Sequence, residues 1–106
     1  MTKFTKVKEI NLNIEEIRSL CLSHKVRSLF AFGSVVIDKL KPESDIDLVV
    51  DISENDPIIY SDYYFDLKNK LEAIFHRPID LLEKRTIKNK FFLAQINHSK
   101  VKIYEE

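Results

Sequence analysis

The chain is poor in the residues that punctuate or staple a fold: 106 residues hold one glycine, three prolines, one cysteine and no tryptophan. A lone cysteine excludes an intrachain disulfide framework and a cysteine-built zinc site. Cys21, between Leu20 and Leu22 in a helical pattern, reads as a buried thiol acting as a small hydrophobe. His24, His76 and His98 lack the i,i+4 or short-loop spacing of a metal site and read as structural or surface residues. Net charge is missing too. The 17 acidic and 17 basic residues balance, so no overall field draws the chain to nucleic acid or to a membrane, and dedicated nucleic-acid binding is not expected. No apolar run reaches the length of a membrane span, and the opening MTKFTKVKEINLN has charges but no signal-peptide core, which makes the cytoplasm the expected location.

The remaining composition is that of an ordinary folded protein, 44% hydrophobic and 32% charged. The length predicts a single domain over residues 1–106. A chain of this size buries roughly two-thirds of its unfolded surface, enough for a core without staples.

Periodicity predicts alternating helices and strands. In NIEEIRSLCLSH, Asn13 and Glu16 have capping-box spacing, and Ile14, Ile17, Leu20 and Cys21 recur at helical intervals. Lys25 to Ser28 reads as a polar break, and Leu29 to Phe32 as a short buried strand. After Gly33-Ser34, VVIDKL fits a helix of about two turns ended near Pro42, although a strand reads almost as well. Ile46 to Ile52 is β-branched and apolar on both faces, which predicts a central strand.

Asp56-Pro57 then reads as an N-cap with proline at the first helical position. Tyr60, Tyr64, Leu67, Leu71 and Ile74 form one stripe of a long helix ending near His76, with Asp66 and Lys70 paired on its outer face. Pro78 opens a third strand, PIDLLE. A last helix from about Asn89 to His98 turns Phe92 and Ile96 inward, and VKIYE alternates like a half-buried terminal strand. The predicted fold class is α/β (α+β), with a single small mixed sheet backed by helices.

Within this frame the stretch FAFGSVVIDKLKPESDIDLVVD stands apart. Average usage would supply about seven glycines in such a chain, yet the one present, Gly33, falls where a strand turns into the next segment. A glycine there lets the backbone approach a ligand, and Ser34 would add a hydroxyl beside free helix amides, a seat for phosphate. A plain turn glycine with a capping serine would leave the same trace. Asp45 and Asp47 are i and i+2 at the start of the best strand, so their carboxylates leave one face, with Cα atoms about 7 Å apart. Two carboxylates this close repel unless cations bridge them, and hard divalent ions with oxygen ligands fit. A solvated strand start with turn chemistry is the plainer alternative. Asp80, inside the apolar PIDLLE, is costly there unless paired or metal-bound. If its strand neighbours the first, it adds a third carboxylate to one constellation.

Gly33-Ser34, ten intervening residues and Asp45-x-Asp47 resemble the signature of the DNA polymerase beta-like nucleotidyltransferase superfamily. The chain length and the later Asp80 strand resemble its smallest branch, the minimal nucleotidyltransferases (MNT), from about Leu12 to Tyr104. The resemblance implies a nucleotidyltransferase fold in which Asp45 and Asp47 hold two magnesium ions. Asp80 would help hold the catalytic ion and orient the attacking hydroxyl, while Gly33 and Ser34 would hold the triphosphate of ATP. It also implies a toxin–antitoxin setting, because members often accompany a toxin of the HEPN ribonuclease family and some silence it by transferring AMP to a tyrosine.

One departure stands out. Many members carry a basic residue and a glycine three and four places after the serine, where this chain has Ile37 and Asp38; Lys39, Lys41 and Lys84 are candidate substitutes for the missing phosphate-facing cation. The expected function is thus magnesium-dependent transfer of AMP from ATP to a hydroxyl of a partner protein, with the chain as antitoxin. The rival is an interaction module that neutralises its partner by binding alone. A small-molecule or tRNA nucleotidyltransferase would need a substrate-binding domain for which these residues leave no room. Homo- and hetero-oligomers are equally compatible with the sequence.

Overall fold

The computed structural model describes residues 10, 12–32 and 45–106. The segment expected to form a helix after Gly33-Ser34 lies outside the described residues, as do Gly33, Ser34, Ile37, Asp38, Lys39 and Lys41. Helix α1 spans Ile14–Ser23 and buries Ile14, Ile17 and Cys21. Asn13 precedes it, but the expected capping box does not form: its side chain makes no cap hydrogen bond, and its backbone has φ −120° and ψ 16°. The chain enters α1 from an earlier turn, with the Asn13 N–H donating to the Ile10 carbonyl at 3.1 Å. That leaves Asn13 without the extended backbone an N-cap needs.

Strand β1 covers Val26–Phe32, three residues earlier at its start than the polar Lys25–Ser28 stretch suggests. Lys25, at φ 54°, turns the chain, and Val26 and Ser28 are buried. Arg27 points outward, its Nη2 donating to Ser53 Oγ at 3.0 Å. A register shift between Val26 and Ser28 breaks the alternation that would have marked these residues as strand.

Strand β2 is Ile46–Ile52, with the predicted bounds. Helix α2 is Pro57–Phe75, capped by the Asp56 side chain, which accepts from the N–H groups of Ile58 and Ile59. It ends at His76, in the left-handed region at φ 57°. Its buried residues are Tyr60, Leu67, Leu71 and Phe75, while Tyr64 and Ile74 of the predicted stripe are half-buried. Asp66 pairs with Lys70 at 2.6 Å and accepts from His24 Nε2, also at 2.6 Å, so one carboxylate ties the end of α1 to α2. Strand β3 (Ile79–Glu83), a 3-10 turn (Lys84–Thr86), helix α3 (Lys90–Ser99) and strand β4 (Val101–Glu105) complete the order.

The sheet runs β3-β2-β1-β4. β2 pairs antiparallel with β1 and parallel with β3, and β4 closes the other edge antiparallel to β1. β2 is therefore central. Alternate β2 residues Ile46, Leu48, Val50 and Ile52 join the main core with residues of α1 and α2 such as Ile17, Leu67 and Leu71. On the opposite face Phe30 and Val49 pack with Ile96 of α3, flanked by Phe32, Leu82 and Phe92. α3 covers the middle of that second face, on which the acidic end of β2 also lies.

Candidate active site

Period-two alternation puts Asp47 on the same face as Val49, two residues on. In the parallel register Asp47 lies opposite Asp80, just as Ile46 lies opposite Ile79, so the two aspartates stand side by side on adjacent strands, about 4.8 Å apart along the hydrogen-bonding direction. Asp45 immediately precedes β2 and is exposed, Asp47 is half-buried and Asp80 is exposed. The structure thus sets Asp47 beside Asp80, with Asp45 near enough for its charge to reach Asp47. Their mutual field appears at Asp47, whose carboxyl is pushed above its ordinary range first by burial, then by Asp80, then by Asp45. A cation would relieve that repulsion.

The donor set is all oxygen and all anionic, which suits a hard divalent ion. Among the described residues no group of three acidic, histidine or cysteine side chains is arranged to hold a metal ion. Magnesium commonly retains waters and takes further ligands from substrate phosphates, so an open carboxylate edge of this kind fits it. Lys84 stands just past the far end of β3, roughly 13 Å along the sheet from Asp80, and lines a separate cavity with Phe30 and Val49. The structure therefore gives it no place beside the carboxylates.

Two side chains that the sequence did not single out for the site fix the strand carrying Asp80. Glu72 of α2 accepts from the Ile79 N–H at 3.0 Å, and Tyr64 of α2 donates its hydroxyl to the Leu81 carbonyl at 2.5 Å. These bonds fall on the residues either side of Asp80, at the outer edge of an edge strand. Lys68 pairs with Glu72 at 3.0 Å. Together with the Ile79 N–H, it holds the Glu72 carboxyl below its ordinary range, the backbone donor contributing most. In sequence, Tyr64 and Glu72 look like ordinary positions of an amphipathic helix, and only the packing of α2 along β3 reveals the bonds.

Known proteins resemble this chain in sequence and in fold. The protein adenylyltransferase MntA of Thermococcus cleftensis is 33% identical over 86 residues, which cover 74% of this chain and 84% of that protein. A Methanocaldococcus jannaschii protein named as a candidate for the same activity is 33% identical over 96 residues, 91% of this chain and 93% of that one. Among solved structures, a candidate minimal nucleotidyltransferase superposes with a TM-score of 0.74 at 22% identity, covering 94% of this chain and 98% of that one. The tri-AMPylated HEPN toxin of Shewanella oneidensis in complex with its MNT antitoxin gives a TM-score of 0.61 at 21% identity, over 90% of this chain and 71% of the matched one. The family model for polymerase beta nucleotidyltransferases matches residues 15–106, the span that carries all three aspartates, and the chain belongs to that family.

Proposed function

We propose that this nucleotidyltransferase is the antitoxin of a two-protein system and transfers AMP from ATP to a hydroxyl, a tyrosine in the first instance, on a HEPN-family toxin. The observation that carries the reading is the side-by-side register of Asp47 and Asp80, with Asp45 close enough to act on the same carboxyl. Relatives named for protein adenylylation support the choice of nucleotide and of a protein acceptor.

In this reading Asp45 and Asp47 would hold two magnesium ions, with Asp80 contributing to one of them. Those ions would supply neutralisation of the triphosphate charge. Gly33 and Ser34 would cradle the phosphates. Asp80, on the outer strand, would orient the acceptor hydroxyl. The acceptor oxygen attacks the α-phosphorus, the bond to the bridging oxygen of the β-phosphate breaks, and pyrophosphate departs opposite the incoming oxygen. The hydroxyl proton leaves toward the carboxylate that orients it. Positioning and charge neutralisation carry most of the acceleration in such a transfer.

The position of the label in ATP tests this reading. With the partner toxin and magnesium, ATP labelled at the α-phosphate should label the toxin and ATP labelled at the γ-phosphate should not. Label from the γ-phosphate would make the protein a kinase and refute the proposal.

A further inference from the structure

Phe91, in the first turn of α3, is 86% exposed, the most exposed large hydrophobic side chain among the described residues. Ile96 is buried and Phe92 half-buried against the second sheet face, and a helix turn of about 100° per residue carries the Phe91 ring away from that face. The same turn lies over the acidic end of the sheet. Phe92 meets Phe32 edge to face, with centroids 6.1 Å apart, and Phe32 is the cross-strand partner of Asp47. Charge is divided as unevenly as apolar surface: Lys84 to Tyr104 holds six of the 17 basic residues and none of the 17 acidic ones. Arg85 is committed, its Nη2 donating to the Ile52 carbonyl at 2.5 Å, and Lys100 stands over the Phe30 ring at 4.2 Å. Lys84, Lys88, Lys90 and Lys102 are exposed and form no ion pair among the described residues.

We propose that Phe91, flanked by Lys88 and Lys90, is the docking point for the protein acceptor, and that the segment it seats is acidic; the proposal rests on the protein-acceptor reading above. A bare aromatic ring among charges has the form of an interface anchor, because burying the ring supplies affinity while the charged rim sets orientation and on-rate. Charge complementarity chooses the occupant. Lysines with no acidic side chain near them in sequence attract an acidic surface, and the three aspartates next to them would otherwise repel it. Nucleic acid fits less well. The whole chain is neutral, and the only arginine of the segment is tied to the Ile52 and Glu54 carbonyls. A single exposed ring also offers one stacking surface where strand binders use several in succession.

Fluorescence anisotropy of the whole chain at low salt tests the assignment with three labelled probes. One is a synthetic peptide with a tyrosine set between leucines and glutamates, the second has lysines in place of the glutamates, and the third is a short oligouridine. Calorimetry of ATP in magnesium runs alongside. The parent should bind the acidic peptide more tightly than either other probe. Phe91→Ser, at a position that folding does not depend on, should weaken the acidic peptide about fivefold or more, the scale of an interface anchor, and leave ATP binding unchanged. Lys88→Glu combined with Lys90→Glu should reverse the preference between the two peptides. If the parent binds ATP but does not prefer the acidic peptide, or Phe91→Ser binds that peptide as the parent does, the docking surface is refuted while the transferase reading stands. Tighter binding of oligouridine, lost with the same substitutions, would make α3 a nucleic-acid surface and also refute it. If the parent does not bind ATP, the transferase reading fails and this proposal fails with it.

Discussion

At Asp47, proton affinity and stability are coupled. Its carboxyl is raised above the ordinary 3.8 by burial and by the charges of Asp80 and Asp45. A folded-state pKa above the unfolded value means that the folded protein binds the proton more tightly. The cost to stability is therefore full above the folded pKa and vanishes as pH falls below the unfolded one. Asp47→Asn should accordingly melt higher than the parent at neutral pH in chelator, by less than about 1 kcal/mol because the site is open to solvent. The gap should close as the pH is lowered through the carboxylate range, and scanning calorimetry at several pH values reads it. A mutant that melts below the parent at neutral pH would show that the repulsion is not felt. The Asp45-x-Asp47 pair was legible in the sequence because its spacing is local and period-two alternation decides its face. Its coupling to Asp80 was legible only as a condition, since the register of two strands separated by a long helix depends on non-local packing.

The element on which the proposed chemistry depends most directly is β3. It sits at the sheet edge, where unpaired backbone groups would otherwise leave it free to shift, and Tyr64 and Glu72 bind it on either side of Asp80. Tyr64→Phe keeps the ring and frees the Leu81 carbonyl, and should cost about 1 kcal/mol. Amide exchange should quicken in β3 more than in β1, and AMP transfer should slow while ATP affinity stays near the parent's. Glu72 contributes stability above its ordinary pKa of 4.5, lost as pH falls through its depressed folded value. Glu72→Gln should therefore flatten the acid limb of the stability profile below that pH. At the head of α2, Asp56→Ala should cost about 1 kcal/mol by freeing the N–H groups of Ile58 and Ile59. That cap was legible because Asp-Pro at a helix start leaves few alternatives. The Asn13 cap was misread because capping-box spacing is blind to what precedes it, and an earlier turn already satisfies the backbone there. The start of β1 was missed for a related reason: the bulge at Arg27 hides the alternation from any pattern that counts by twos.

For the whole molecule, the long apolar run of β2 was the most informative stretch, because a strand apolar on both faces needs neighbours on both edges and layers above and below. The structure supplies them, with α1 and α2 on one side and α3 on the other. The contact between Phe32 and Phe92 was not legible, since the two rings are far apart in sequence and meet only when α3 lies across β1. In the assembled sheet Asp80 stands beside Asp47 on the adjacent edge strand, the arrangement on which the proposed transfer depends. The most direct measurement is intact-mass spectrometry of the proposed partner toxin after incubation with the protein, ATP and magnesium, with a pull-down in parallel. The account predicts mass increments of whole AMP units with the parent and none with Asp47→Ala. The mutant should still capture the toxin, because apolar contacts rather than three aspartates would hold an interface. Full neutralisation of the toxin by the parent with no AMP added would contradict the account and make this chain a binding module.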